Sequence, residues 1–239
     1  MEKRIPSISG KIESGDLRAL LIRSPRRTVS LQVNPDLSLV MKAPSDTPEP
    51  FLLDFLERRR LWIERHLARM ARIKAAAPSW KDGGRVPFMG GELELSVESG
   101  SRARARLSGK ALIATARDPR DSAEVRIAVE RLFAREAVVA FPAMLDACLA
   151  RSARRRFPRP ELRVRTMRSR WGSCDAKAGV LTLNARLIRF RPEIIECVIM
   201  HELAHLRYRT HGPRFYRLLA ELCPHYERLQ GELAEVYLE

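Results

Sequence analysis

Two histidines, His201 and His205, stand four residues apart, with Glu202 directly after the first. On a helix that spacing stacks both imidazoles on one face, ~6 Å apart along the axis. Two such rings reach a single Zn²⁺ at ~2.0–2.1 Å. Glu202, offset by one position, leaves the histidine stripe. It can lean over a water that the metal acidifies, where a carboxylate serves as general base. With five histidines in 239 residues, chance supplies this HExxH pattern in about one such chain in a hundred. Zinc needs a third protein ligand, and His211 is the candidate. It lies too far from His205 to share its helical face, so the helix must end and the chain must return. Gly212-Pro213 supply that break. Glu221 and Glu227, on the helix expected to follow, are the alternatives. His225 reads as a surface residue.

The elements that must position these groups follow from hydrophobic spacing. Pro192 opens a helix that Ile194, Ile195, Val198 and Ile199 make apolar as it enters the motif. Residues 162–166 and 180–184 alternate as strands and flank the loop Ser169-Arg170-Trp171-Gly172-Ser173-Cys174. Arg170, Trp171 and Asn184 are the candidate substrate-binding residues. Arg170 can stabilise a developing oxyanion or hold an acidic group. Trp171 also suits packing against the metal-bearing helix. The strand ending at Asn184 is expected at a sheet edge, where an extended peptide can pair with it. Cys174 reads as a buried thiol. Arg207 and Arg209 face either the cleft or solvent. Upstream, apolar residues from Val125 to Leu149 recur at helical spacing from about residue 122 to 150. Asp121 or Ser122 is the expected cap, and Pro142 is expected to kink or split the helix.

The N-terminal half reads as β-rich. Strands are expected at 17–22, 28–33, 37–42, 93–98, 102–107 and 111–115, with turns at Asn34-Pro35-Asp36 and Ser108-Gly109-Lys110. One long helix is expected over 50–74, packed through Phe55, Leu56, Trp62 and Ile63. His66 on it is a packing residue. No internal repeat is visible. The fold class is therefore α+β, with residues 1–118 forming the β-rich region and 119–239 the domain that carries the chemistry.

At 45% hydrophobic and 31% charged residues the chain is neither disordered nor membrane-spanning, since no apolar run reaches the ~18–20 residues a span needs. Charge is uneven. Residues 151–191 hold 13 basic and two acidic side chains, a cluster suited to nucleic acid or another polyanion. The four cysteines are widely spaced and no secretory leader precedes them, so reduced thiols and a cytoplasmic location are expected.

The segments MRSRWGSC, GVLTLNARLI and HELAHLRYRTHGPRFY, within residues 167–216, resemble the YgjP-like metallopeptidases, relatives of the SprT-like zinc metalloproteases. RRTVSLQVNPDLSLVMKAP near the N-terminus is similar to the start of that family. The resemblance implies a zincin-like catalytic domain with an HExxH helix and a small antiparallel sheet. It implies His201, His205 and His211 as zinc ligands, Glu202 as catalytic base, and loop 169–174 as lining or support. It does not fix the substrate; a protein or peptide is the expected one. Two other classes remain: a metal-dependent nucleotide or phosphoester hydrolase using the basic segment, and a nucleic-acid-binding module braced by a structural zinc.

Overall fold

Strand-forming stretches in the first 116 residues fold into two sheets of one plan. The computed structural model describes residues 7–34, 36–75 and 78–234. The chain divides into two compact units, Met1–Ala77 and Pro78–Glu239.

In the first unit, β1 (Ser7–Ser14), β2 (Leu17–Ser24), β3 (Ser30–Val33) and β4 (Leu39–Pro44) form a sheet in the order β1-β2-β4-β3. The outer pairs are antiparallel and the central β2–β4 pair is parallel. Gly15, at φ +59°, allows the tight β1–β2 turn. In the turn expected at residues 34–36, Pro35 lies outside the described residues, and Asn34 N–H donates to the Ser38 carbonyl at 2.8 Å. Alternation along β2 buries Leu17, Ala19 and Leu21. They join Met41, Leu52, Leu56 and Ile63 in this unit's core. The single helix expected over 50–74 is two: α1 (Glu49–Arg58) and α2 (Arg60–Ala75). Arg59 departs from helical geometry at φ −100°, ψ 3°. The next residue, Arg60, spans Glu57, Asp16 and the Ser14 carbonyl, tying the helix junction to the β1–β2 turn.

The second unit opens with β5 (Arg85–Phe88), β6 (Gly91–Ser99), β7 (Arg104–Ser108) and β8 (Ala111–Ala116), in the order β5-β6-β8-β7. Its outer pairs are again antiparallel and its centre parallel, so the topology repeats although the sequence does not. Helix α3 (Ser122–Arg151) packs on it through Val125, Val129, Leu132 and Phe133. Asp121 is its cap, accepting from Ala123 and Glu124 N–H at 2.9 and 3.2 Å. Pro142 does not split α3. A proline deletes one hydrogen bond, to the carbonyl four residues back. That residue, Val138, is 56% exposed, so water can take the bond, while buried Phe141 and Leu145 hold the core face.

A third sheet, β9 (Glu161–Arg165), β10 (Gly172–Asp175) and β11 (Val180–Asn184), carries the loop of interest. The antiparallel sheet expected here is mixed: β10 pairs antiparallel with β11, but β9 runs parallel to it. Nor is the strand ending at Asn184 an edge. Order β10-β11-β9 puts β11 in the centre, and Val180, Leu181, Leu183 and Asn184 are all buried, as suits a strand covered on both faces. The 3-10 turn Ala185–Arg189 leads into α4 (Pro192–His205), followed by α5 (Pro213–Leu222) and α6 (Tyr226–Ala234). Among the described residues no helix is long and apolar enough to cross a membrane.

Candidate metal centre

Helix α4 starts at Pro192, whose fixed φ suits the first turn. It buries Ile195, Ile199 and Leu203 completely, and each such side chain stabilises the fold by ~1.5–3 kcal/mol. The helix therefore presents its last turn, with His201, Glu202 and His205, from a fixed base. It ends where the Arg207 and Tyr208 amides fold back onto the Ala204 carbonyl. The chain then returns through residues 209–212 and restarts at Pro213, which brings His211 back to the motif.

The three imidazoles converge. Ligand nitrogens of His201, His205 and His211 all lie within 4.8 Å of one another. The Nε2 atoms of His201 and His211 are 3.0 Å apart. Two imidazole nitrogens on one tetrahedral zinc would be ~3.3 Å apart, so these three donors fit a divalent ion. His205 Nδ1 lies 2.9 Å from the Tyr208 carbonyl. A carbonyl only accepts, so Nδ1 carries the proton and the Nε2 lone pair is available to a metal. Burial and the two neighbouring imidazoles push His201 down to about 4, and burial chiefly lowers His205. His201 is thus neutral at pH 7, as a metal ligand must be.

Two supporting residues were not expected from the sequence. Phe215 on α5 is fully buried, and its ring centroid lies 5.0, 4.6 and 4.7 Å from those of His201, His205 and His211. It forms an apolar floor for all three rings, and its spacing of four from His211 was the available signal. Gln230 on α6 places its amide 3.0 Å from His201 Nδ1. Ligation through His201 Nε2 puts the proton on Nδ1, and the Gln230 carbonyl is then the matching acceptor. Helix α6 was not anticipated, although Leu229 and Leu233 show its buried spacing.

Glu202 is only 5% exposed, and burial raises its carboxyl to about 8 against the opposing charge of Arg170. Strand β10 packs against α4 at this point. A methyl group on Gly172 would stand 2.5 Å from Glu202 Oε1 and 2.7 Å from its Cγ, so only glycine leaves room for this carboxylate. A cavity of about 850 Å³ opens over the imidazoles and Glu202, walled by all four residues of β10 together with Arg170, Lys177 and Arg209.

Of the expected substrate-binding residues, Arg170 lines this cavity. Trp171 is half-buried and packs edge-on against Phe190 at 5.1 Å. Asn184 is fully buried, its Nδ2 donating to the Met167 and Arg170 carbonyls at 2.9 and 3.0 Å. Its Oδ1 accepts from Arg186 N–H, so it braces the loop and presents no atom to the cavity. Burial, Glu202 and Asp175 push the Cys174 thiol up to about 11. Arg207 turns away, to the Arg155 carbonyl and the Phe157 ring. Neither alternative third ligand approaches the imidazoles. Glu221 pairs with Arg155, and Glu227 accepts from the Tyr226 hydroxyl.

Part of the basic run 151–191 is paired in space. Arg151 pairs with Glu196, Arg159 with Asp146, Arg186 and Arg189 with Glu130, and Arg191 with Glu193 and Glu232. These carboxylates lie outside the run and offset part of its linear charge, and nucleic-acid contact gains no support.

Three convergent imidazoles beside a buried carboxylate, on an α+β frame, have the donor set of a metal-dependent hydrolase. Residues 27–236 match the family described as YgjP-like, metallopeptidase domain, and the chain belongs to that family. Among solved structures it is similar to the metallopeptidase zymogen of Pyrococcus abyssi abylysin. That match has 22% identity and a TM-score of 0.33, and covers 40% of this chain and 97% of that one. It is also similar to the zymogen of Methanocaldococcus jannaschii jannalysin, with 21% identity and a TM-score of 0.32, over 38% of this chain and 95% of that one. Scores this low carry no argument about mechanism. A search of curated proteins finds no match.

Proposed function

We propose that this chain is a zinc-dependent peptidase in which Glu202 acts as general base. The observation that carries the reading is the convergence of His201, His205 and His211 within 4.8 Å, with Glu202 buried one residue along the same helix. The three imidazoles would hold the ion. When bound, it supplies a Lewis acid that acidifies water and polarises the scissile carbonyl. Glu202 takes the proton from the attacking water and passes it to the departing amine. Arg170, on the cavity wall, is placed to steady negative charge on the carbonyl oxygen. Among the described residues β10, rather than β11, stands at a sheet edge, where it would pair with an extended peptide main chain. Residues 119–239 supply every group of this centre, and residues 1–118 shape access or recruit substrate. Four free thiols support a reducing, cytoplasmic setting.

Two observations weigh against the other classes. Among the described residues no second cluster of metal-ligating groups accompanies the triad, whereas phosphoester hydrolysis commonly uses two ions. A purely structural zinc leaves Glu202 without a role that would repay its burial. The test is a pair of variants. Glu202→Gln is expected to keep zinc by elemental analysis and lose peptide hydrolysis by ~10²–10⁴-fold. His201→Ala is expected to lose the zinc itself. An active Glu202→Gln enzyme, or unchanged metal content in His201→Ala, removes the reading.

A further inference from the structure

The wall of the cavity over the imidazoles carries more positive charge than the proposed chemistry uses, since that chemistry calls only on Arg170. Arg170, Lys177 and Arg209 all border the cavity, one from the loop before β10, one from the turn after it, and one from the return after α4. Among the described residues none of the three is held in an ion pair, unlike most arginines of the 151–191 run. Asp175 is the opposing charge that Lys177 and Arg209 feel, and Glu202 the one that Arg170 feels. Asp175 Oδ1 is committed to the Lys177 and Ala178 amides, both at 3.0 Å, where it closes the β10–β11 turn. The Lys177 and Arg209 charges reach it but do not lock onto it. The cavity lining thus has three cations against two carboxylates, Asp175 and the buried Glu202. Imidazole carries no negative charge in either protonation state, and a bound divalent ion would add to the positive field. In a concave site with low-dielectric walls such an imbalance is focused on whatever enters.

We propose that this rim makes the cleft selective for acidic peptide segments. The β10 edge takes the substrate main chain without regard to sequence, Lys177 and Arg209 receive Asp or Glu side chains near the scissile bond, and Arg170 adds to the positive field there. This inference rests on the peptidase reading and supplies its substrate class. A main chain laid along β10 projects side chains alternately, so those turned to the cavity meet the cations of its wall. Pairs at a solvated rim are each worth little, about one- to fivefold. The selectivity is therefore the product of several modest terms, and it is sensitive to salt.

The experiment uses the full-length zinc-loaded protein and three fluorogenic peptides of one core sequence, flanked by Glu, by Gln or by Lys. Cleavage is measured with the wild-type protein, and binding with Glu202→Gln by fluorescence anisotropy. The expected order is Glu, then Gln, then Lys, with about tenfold in kcat/KM between the first two at low ionic strength. The gap is expected to shrink to about twofold near 0.5 M salt. Lys177→Glu combined with Arg209→Glu is expected to reverse the order in both readouts. Equal cleavage and equal binding of the three peptides, independent of salt, overturn the selectivity and leave the peptidase intact. No cleavage of any peptide or of unfolded protein overturns the peptidase reading, and this inference with it. A short oligonucleotide or a nucleoside triphosphate that displaces the Glu peptide at a lower concentration than the peptide itself needs would assign the cations to phosphate and also overturn it.

Discussion

Glu202 sits where ionisation is costly, and that cost is measurable apart from catalysis. Its carboxyl is raised from 4.5 to about 8, because the packing of β10 and α4 strips away solvent. In protein stripped of metal with a chelator, the unfolded chain releases this proton near pH 4.5, while the folded chain keeps it to about 8. The folded state binds more protons across that window, so its stability falls as pH rises through it, by ~1.4 kcal/mol per unit at the steepest. Glutamine has no proton to lose. The stability advantage of Glu202→Gln over wild type is therefore expected to grow from pH 5 to pH 8, measured by urea unfolding of the metal-free proteins. His201 and His205, both lowered, weaken the fold only as pH falls below their ordinary value, and they do so equally in both proteins. A gap of the same size at both pH values would show that Glu202 is not desolvated. A bound divalent cation would favour the ionised form, so on the proposed mechanism the ion would also ready its base.

The elements explain why a carboxylate can be buried there. Gly172 is not among the residues at positive φ, so its need for hydrogen is spatial rather than conformational. Strand β10 approaches α4 so closely that a Cβ at this position would overlap Glu202 at 2.5–2.9 Å. Gly172→Ala is expected to cost ~1–3 kcal/mol of stability from overpacking. Because Glu202 must move, hydrolysis should fall ~10²-fold, with zinc content unchanged. Full activity in a zinc-bearing variant would show that the carboxylate has freedom to spare. This approach of strand to helix was not legible in the sequence, where Gly172 is simply one residue of a loop. Helix α4 was legible, because Pro192 and the apolar run state its start and burial within 14 residues. Strand β10 was missed for want of apolar alternation in Gly172-Ser173-Cys174-Asp175. Missing it left β11 as the apparent edge and Asn184 as an apparent substrate contact. A short strand whose partner supplies the hydrophobicity leaves little mark on its own residues. Gln230 escaped for the same reason at the level of a helix, since α6 follows α5 too closely for a separate start to stand out.

At the scale of the molecule, hydrophobic contacts fall into two sets that do not share a residue. One runs from Ile12 to Ile63, and the other from Val86 to Leu233. The change of character near residue 119 marks the onset of a long helix, but α3 has no independent core. Its buried face, with Val125, Val129, Leu132 and Phe133, belongs to the same cluster as Val86, Leu95 and Leu112 of the preceding sheet. Chemistry and folding are thus divided at different places. The groups of the metal centre lie beyond residue 119, but the smallest piece with a complete core begins at Pro78. Residues 78–239 expressed alone are therefore expected to fold cooperatively and to bind one zinc per chain, with an affinity within about threefold of the full protein, a difference under 1 kcal/mol. Residues 119–239 alone lose the sheet that covers α3. They should expose several large apolar side chains and aggregate or stay molten, since each uncovered Leu, Val or Phe forfeits ~1.5–3 kcal/mol from a total of only ~5–15. Circular dichroism melts and zinc competition against a chelator distinguish the two fragments. A cooperative, zinc-binding 119–239 fragment would mean that the β5–β8 sheet is dispensable to the core it appears in, and that α3 finds its burial among α4, α5 and α6 alone.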